Sequence, residues 1–194
     1  MVDTLSSSKK RILEATLKLV LKRGDPATSM AEIAKAVGIS RQALYLQFPD
    51  RASLFLALAR YADEKRGLGP ALERIRETAS GLVSLELLLA LRARMNPGIW
   101  PLHLVAQTLR HHDPAVERAF GDRLKNRRIV CRDIIEKIDR DGQLRPDLSI
   151  EQGTDQLWSI TSMGTWADLV LTCKWSAETY RTQLLLLLRH ALFK

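Results

Sequence analysis

The sequence has 194 residues, of which 46% are hydrophobic and 27% charged, with a formal net charge of +8. This length provides one or two domains with hydrophobic cores, and no apolar run is long enough to span a bilayer, so no membrane partner is expected. The two cysteines, Cys131 and Cys173, lie far apart and outside any ligand spacing. Two cysteines placed in this way exclude a disulfide scaffold and indicate no metal site, and no cofactor is expected. Both are expected to be small hydrophobic side chains buried in the core.

The positive charge is concentrated near the N-terminus. Residues 1–66 contain twelve Lys/Arg and seven Asp/Glu, whereas the remaining two thirds contain eighteen and fifteen. A basic excess confined to one region is typical of a nucleic-acid-binding domain, although it is weak support on its own.

The first predicted helix carries an apolar stripe and ends at Gly24. The stripe consists of Ile12, Ala15, Thr16, Leu19 and Val20. Lysine, arginine and serine are also frequent here, which would fit a transit peptide. The helical spacing of the stripe instead favours the first helix of a small bundle.

A helix, a tight turn and a second helix are predicted next. Ser29 and Glu32 form a capping box that begins the first of these helices. Gly38 permits the positive φ that closes the turn, and Ser40 is the N-cap of the second helix. Pro49 ends that helix, because the residue before a proline is pushed out of the α region.

The second helix combines an apolar face with a polar one. Leu44 and Phe48 are four residues apart and can pack on the preceding helix. Arg41 and Gln42 point outward and match the edges of guanine and adenine, and Ala43 could touch a thymine methyl group. Hydroxyl, amide and basic side chains are expected on phosphates: Thr28, Ser29, Ser40, Tyr45, Gln47 and Arg51. This is the layout of a DNA-binding helix-turn-helix, and an ordinary helical hairpin is the alternative.

Three sequence elements support the first interpretation: the Ile-Ala-x-x-x-Gly of residues 33–38, the Leu-Tyr-x-x-Phe of residues 44–48, and the basic Arg51. Together they resemble the signature of the tetracycline-repressor (TetR-like) family of bacterial regulators, from Ile12 to about Leu58. Two departures are visible. Gln47 stands where the family often has histidine, which affects a contact with the DNA backbone, and Asp25-Pro26 stands where an aromatic residue is usual.

The remainder of the chain predicts further helices. Gly67–Pro70 is the clearest break, so domains are expected at 1–66, including a linking helix at 50–66, and at 70–194. Helices are predicted at 71–79 and 82–95, from Asn96-Pro97 to 110, from Asp113-Pro114 to 140, from the Ser149 capping box to 171, and after Ser176. No period-two pattern occurs, so the expected fold is all-α. It comprises a three-helix DNA-binding domain and a C-terminal helical ligand-binding and dimerisation domain.

The last two predicted helices are apolar on more than one face. Leu184 to Leu188 is an unbroken run of leucines, which predicts either burial inside the monomer or an exposed interface. The resemblance implies that these helices form a four-helix dimer interface, and two half-sites on DNA also require a symmetric dimer. The expected interface residues are Ile160, Gly164, Ala167, Leu171, Tyr180, Leu184, Leu187 and Leu188.

The resemblance also implies a cavity for a small-molecule inducer in the C-terminal domain. Aromatic, soft and hydrogen-bonding side chains are the candidates for its lining: Met95, Trp100, His103, Gln107, Phe120, Trp158, Thr161 and Ser162. Such a lining favours a lipophilic or aromatic ligand. Each of these residues could instead belong to a solid core.

These patterns predict a homodimeric transcriptional regulator, a repressor that binds a near-palindromic operator in double-stranded DNA and is released by a ligand. As the resemblance implies, it would act in the bacterial cytoplasm, at the nucleoid. A DNA-binding regulator that answers to a protein partner, or to no effector, is the alternative. An all-α enzyme or carrier is disfavoured because no nucleophile–base pair, metal cluster or phosphate-binding loop appears, so no catalytic residues are predicted.

Overall fold

The computed structural model describes residues 6–23 and 28–194, and the described chain is helical with no strand. The predicted all-α fold is confirmed. The predicted end of the first helix at Gly24 and the Asp25-Pro26 departure lie outside the described residues. The helices are α1 (Ser7–Arg23), α2 (Met30–Val37), α3 (Arg41–Gln47), α4 (Arg51–Lys65), α5 (Leu68–Glu77), α6 (Gly81–Arg110), α7 (Pro114–Arg140), α8 (Ile150–Ile160), α9 (Met163–Trp166) and α10 (Ala177–Leu192).

The chain forms two compact units, and α6 and α7 each contribute to both. The first unit comprises Met1–Arg66 and Gly98–Gly121, and the second comprises Gly67–Pro97 and Asp122–Lys194. Residues 98–121 were predicted to belong to the C-terminal domain. They group with the first unit because Leu102 and Val105 are buried in its hydrophobic core.

The core of the first unit is built from the apolar faces of α1 to α4. Ile12 and Leu13 of α1, Ile33 of α2 and Leu44 of α3 are at most 1% exposed. The hydroxyl of Tyr61 donates a hydrogen bond to Glu14 Oε1 at 2.8 Å, which ties α4 to α1. Burial, followed by this hydrogen bond to Glu14, raises the pKa of Tyr61 to about 12. The short helices are therefore held by a shared core and by a polar link between the first and last of the four.

In the second unit, α6 and α7 approach each other closely at Gly81. A Cβ atom at this position would lie 2.5 Å from the backbone nitrogen of Ile138, so only glycine fits. The buried Lys137 sits nearby, and its Nζ donates to the carbonyl oxygens of Ile75 and Arg76, each at 2.9 Å. This amine supplies partners for two carbonyl groups at the C-terminal end of α5, where no intrahelical donor is available.

The predicted helix start at Asn96-Pro97 is wrong, because α6 runs unbroken from Gly81 to Arg110. The residues on either side, Met95 and Ile99, are only 2% and 7% exposed. Burial of the apolar stripe on both sides of Pro97 outweighs the local cost of a proline in a helix, about 3 kcal/mol. Asn96 itself is fully buried instead of capping a surface helix.

The predicted single helix from 150 to 171 is interrupted. Ser162 acts as a new N-cap, accepting a hydrogen bond from the backbone N–H of Thr165 at 3.0 Å. The α9 helix that follows continues as a π-helix over Ala167–Thr172. Cys131 is buried as predicted, whereas Cys173, just after the π-helix, is exposed.

None of the helices in the described part of the chain combines the length and the apolar character that crossing a bilayer requires.

Candidate functional sites

The α2–turn–α3 segment presents a polar surface on an apolar base. Gly38 ends α2 with φ 74°, and the hydroxyl of Ser40 accepts a hydrogen bond from the backbone N–H of Ala43 at 3.1 Å. Leu44 is fully buried, so α3 is fixed by one face. Arg41 and Gln42 lie on the opposite, exposed face. The side chains of Arg41 and Gln42, each with several hydrogen-bonding groups, therefore point outward from a helix whose other face is buried.

The entry to α2 is held by a network of short hydrogen bonds. The carboxylate of Glu32 accepts from the backbone N–H and the hydroxyl of Ser29, both at 2.8 Å, and it also pairs with Arg23. The hydrogen bond from the Ser29 backbone, with those from Arg23 and from the Ser29 hydroxyl, lowers the pKa of Glu32 to about 2. The predicted capping box is confirmed, and it links α2 to the last turn of α1.

The predicted phosphate-contact residues differ in accessibility. Ser29, Ser40 and Tyr45 are exposed, whereas Gln47 is half-buried. Arg51 is also half-buried, with its guanidinium 5.4 Å from the ring centroid of Phe55. Thr28 is only 1% exposed, so its hydroxyl is not at the surface. Its assignment as a phosphate contact is therefore wrong, because the residue that precedes the Ser29 cap packs into the unit.

One exposed residue of α3 was missed by the sequence analysis. Leu46 is 79% exposed, beside Tyr45 at 42%. Its position four residues after Gln42 places it on the outer face of the helix, a signal that the sequence already contained. An exposed leucine of this kind can pack on a thymine methyl group or on a sugar.

The segment that forms the helix-turn-helix also matches a known protein family in sequence. The sequence model of the family described as bacterial regulatory proteins, tetR family, matches residues 12–58. This segment of the chain is similar to the tetR family. The resemblance noted from the motifs is confirmed over residues 12–58, which include α2, the turn and α3.

The similar proteins differ in how much of this chain they match. YuxN, an HTH-type transcriptional regulator of Bacillus subtilis, is 38% identical over 61 residues, which are 31% of this chain. The chain spans about a fifth of the length of YuxN (21%). The nucleoid occlusion factor SlmA of Marinobacter nauticus is 24% identical over 157 residues, 80% of each chain.

A solved structure extends the similarity to the whole chain. A transcriptional regulator from Saccharomonospora viridis in complex with choline superposes with a TM-score of 0.82 at 19% identity, covering 98% of this chain and 100% of the other. At this identity the likeness establishes that the fold is shared over both units.

The predicted ligand-binding residues fall in different units. In the first unit, the ring of His103 lies 5.8 Å from that of Trp100 and 5.5 Å from that of Phe120, and its Nε2 lies 2.9 Å from the amide of the exposed Gln107. The others belong to the second unit: Met95, Trp158, Thr161 and Ser162. The hydroxyl of Thr161 donates to the carbonyl oxygen of Leu157 at 2.6 Å.

The predicted interface residues divide into buried and exposed groups. Leu187 and Leu171 are 51% and 39% exposed, Gly164 is exposed, and Ile160 is half-buried. Four others are 0–9% exposed and belong to the core of the monomer: Ala167, Tyr180, Leu184 and Leu188. Their assignment to a surface is wrong: Tyr180, Leu184 and Leu188 form an i, i+4 stripe of α10 that faces inward, and Ala167 is buried at the start of the π-helix. Leu186, which was not among the predicted interface residues, is 51% exposed.

The part of the chain that the structure describes contains no group of three or more His, Cys, Asp or Glu residues that could hold a metal ion.

Two arginines of the second unit, Arg92 and Arg127, were not among the residues predicted from the sequence to form a site. Arg127 is half-buried, with its guanidinium against the ring of Trp158.

Proposed function

We propose that the protein is a homodimeric repressor that binds a near-palindromic operator and is released from it by a small lipophilic or aromatic ligand. The observation that carries the DNA-binding part is the placement of Arg41 and Gln42. Both are exposed on α3, while the buried Leu44 fixes the same helix. Arginine and glutamine are the side chains that pair with guanine and adenine in the major groove.

The dimer follows from the size of the DNA site. One helix-turn-helix contacts only a few base pairs, which is too little for a unique genomic site. Two copies must act together, with α3 helices separated by about one turn of B-DNA, roughly 34–36 Å. The exposed Leu171, Leu186 and Leu187 of the second unit offer an apolar surface for this pairing.

Release by a ligand requires only that the ligand binds one shape of the dimer more tightly than the other. There are two separate candidate contact regions: the ring cluster of Trp100, His103 and Phe120 in the first unit, and the Trp158 region in the second. If Trp100 contacts the ligand, Trp100→Ala abolishes the response and leaves operator affinity unchanged. If Trp100 is only core, the substitution costs about 3–5 kcal/mol of stability.

The DNA-binding proposal is tested by selecting preferred duplexes from a random pool with the wild type and two glutamine variants. Gln42→Ala should relax the preference at one base pair of each half-site by about 1–3 kcal/mol. The matched control, Gln47→Ala, should weaken all sequences alike, since Gln47 is assigned to a phosphate. An unchanged base preference in Gln42→Ala would show that this residue is not in contact with a base edge.

A second candidate is a DNA-binding regulator that answers to a protein partner or to no effector. SlmA is named as a nucleoid occlusion factor, and its match extends over 80% of this chain. A melting screen separates the two candidates, since an inducer raises the melting temperature of the protein to which it binds.

A further inference from the structure

Four helices of the second unit direct polar atoms without partners toward one region. The atoms are Nε of Arg92 on α6, Nε of Arg127 on α7, Nε1 of Trp158 on α8 and the hydroxyl of Tyr180 on α10. Each is buried and has no hydrogen-bond partner. Tyr180 is fully buried as a residue. Buried polar atoms normally have partners, so a convergent set of this kind calls for an explanation.

The two arginines carry charges that no acid balances. Among the described residues, no carboxylate forms an ion pair with Arg92 or Arg127. Burial lowers the pKa of Arg92, and burial together with the charge of Arg92 lowers the pKa of Arg127 to about 10. The adjacent Arg128 differs, because it pairs with Asp155 at 2.7 Å at the surface.

Two contacts define the position of the Arg127 guanidinium group. It lies 4.5 Å from the ring centroid of Trp158 and donates to the Trp158 carbonyl oxygen at 2.8 Å. Arg92 also interacts electrostatically with Tyr180 and Cys131, and its charge limits the rise in their pKa values that burial causes. The arginine, indole and phenol groups all offer hydrogen-bond donors. A region with two cations and a surplus of donors is suited to an anion.

The neighbouring residues indicate what else the anion carries. Leu88 and Leu184 lie one helical turn from Arg92 and Tyr180, and both are at most 3% exposed. Asn96, one turn beyond Arg92, has both amide atoms buried without a partner. An apolar environment with few additional polar groups fits an organic acid better than a small, strongly hydrated inorganic ion.

We propose that Arg92, Arg127, Trp158 and Tyr180 bind the carboxylate of a small organic acid whose apolar body lies against the indole of Trp158. The inference rests on the proposed ligand-controlled function and narrows the ligand to an acid. Bidentate pairing with a guanidinium suits a carboxylate. The ligand would then supply the charge that the protein lacks at this site.

The first test needs no ligand. Removing one of two unbalanced charges should stabilise the empty protein, so Arg92→Met should raise the melting temperature by about 2–4 °C. Arg94→Met is the matched control, an exposed arginine two residues along the same helix, and should leave the melting temperature unchanged. A lower melting temperature in Arg92→Met would mean that Arg92 supports the fold itself, and would overturn the proposal.

The second test uses straight-chain carboxylates, benzoate and phenylacetate, with their neutral amides and inorganic phosphate as comparisons. At least one carboxylate should raise the melting temperature of the wild type while its amide does not. Arg92→Met and Tyr180→Phe should weaken that carboxylate about 10- to 100-fold, as expected for hydrogen bonds to a charged group. Stabilisation by phosphate alone, by amides and acids equally, or by no member of the series would overturn the proposal.

Operator binding distinguishes this inference from the proposed function. A carboxylate that binds through Arg92 without changing operator affinity would support the acid site and contradict ligand-controlled release. A neutral ligand that releases the operator equally well from the wild type and from Arg92→Met would support ligand-controlled release and overturn the acid site.

Discussion

The exposed leucines of α10 allow a quantitative prediction about assembly. Leu186 and Leu187 are each 51% exposed, so dimerisation can still bury about half of each side chain. Full burial of a leucine contributes about 1.5–3 kcal/mol, so the remaining half contributes about 1 kcal/mol per side chain. In a symmetric interface each position occurs twice. Leu187→Glu should therefore cost at least about 2 kcal/mol, or about 30-fold in the dimer dissociation constant, before the cost of burying two carboxylates is added.

Sedimentation at micromolar concentration measures this effect directly. The wild type should sediment as a dimer and Leu187→Glu as a monomer, with unchanged helix content. Leu21→Glu is the control, because Leu21 is an exposed leucine (38%) on α1, in the other unit. Leu188→Glu is unsuitable, because Leu188 is fully buried and its replacement would unfold the domain. A wild-type monomer that binds a palindromic duplex tightly would refute the reasoning.

Three further predictions concern DNA, stability and pH. Arg51→Ala should weaken operator and random DNA alike and reduce the salt slope of binding by about 1, measured by titration at several salt concentrations. Lys137→Met should lower the free energy of unfolding in urea by about 1.5–3 kcal/mol, because two carbonyl groups lose a charged donor. Glu32 has a folded pKa of about 2, below its ordinary 4.5, so its contribution to stability is present above pH 4.5 and is lost as the pH falls toward 2. Acid titrations of wild type and Glu32→Gln should differ in that interval, and identical curves would contradict this assignment.

Local signals explain which parts of the fold could be predicted. The Ser29 cap, the Gly38 turn and the Ser40 cap depend on residues within one turn of each other, so the sequence contains the whole signal. The Asn96-Pro97 pair carries an equally clear local signal, yet the helix continues through it. Its outcome depends on burial on both sides, which is a tertiary effect.

The candidate sites show the same difference between local sequence signals and tertiary effects. Arg41 and Gln42 are exposed because they lie opposite an apolar face that sequence spacing reveals. Arg127 has the same chemistry, but whether it faces solvent or Trp158 depends on α8, which lies some thirty residues later in the sequence. Spacing on a single helix contains no information about such a neighbour.

The π-helix at Ala167–Thr172 has a consequence for comparing this chain with its relatives. Hydrogen bonds in a π-helix reach one residue further than those of an α-helix, so the segment holds the equivalent of a one-residue insertion. A relative with one residue fewer here would form a regular α-helix and align with a gap inside the helix. Each residue of an α-helix turns about 100° around the axis, so the same gap would move the exposed Leu171 to a different side. Two related proteins with nearly identical sequences after the π-helix could therefore present different surfaces to their partners.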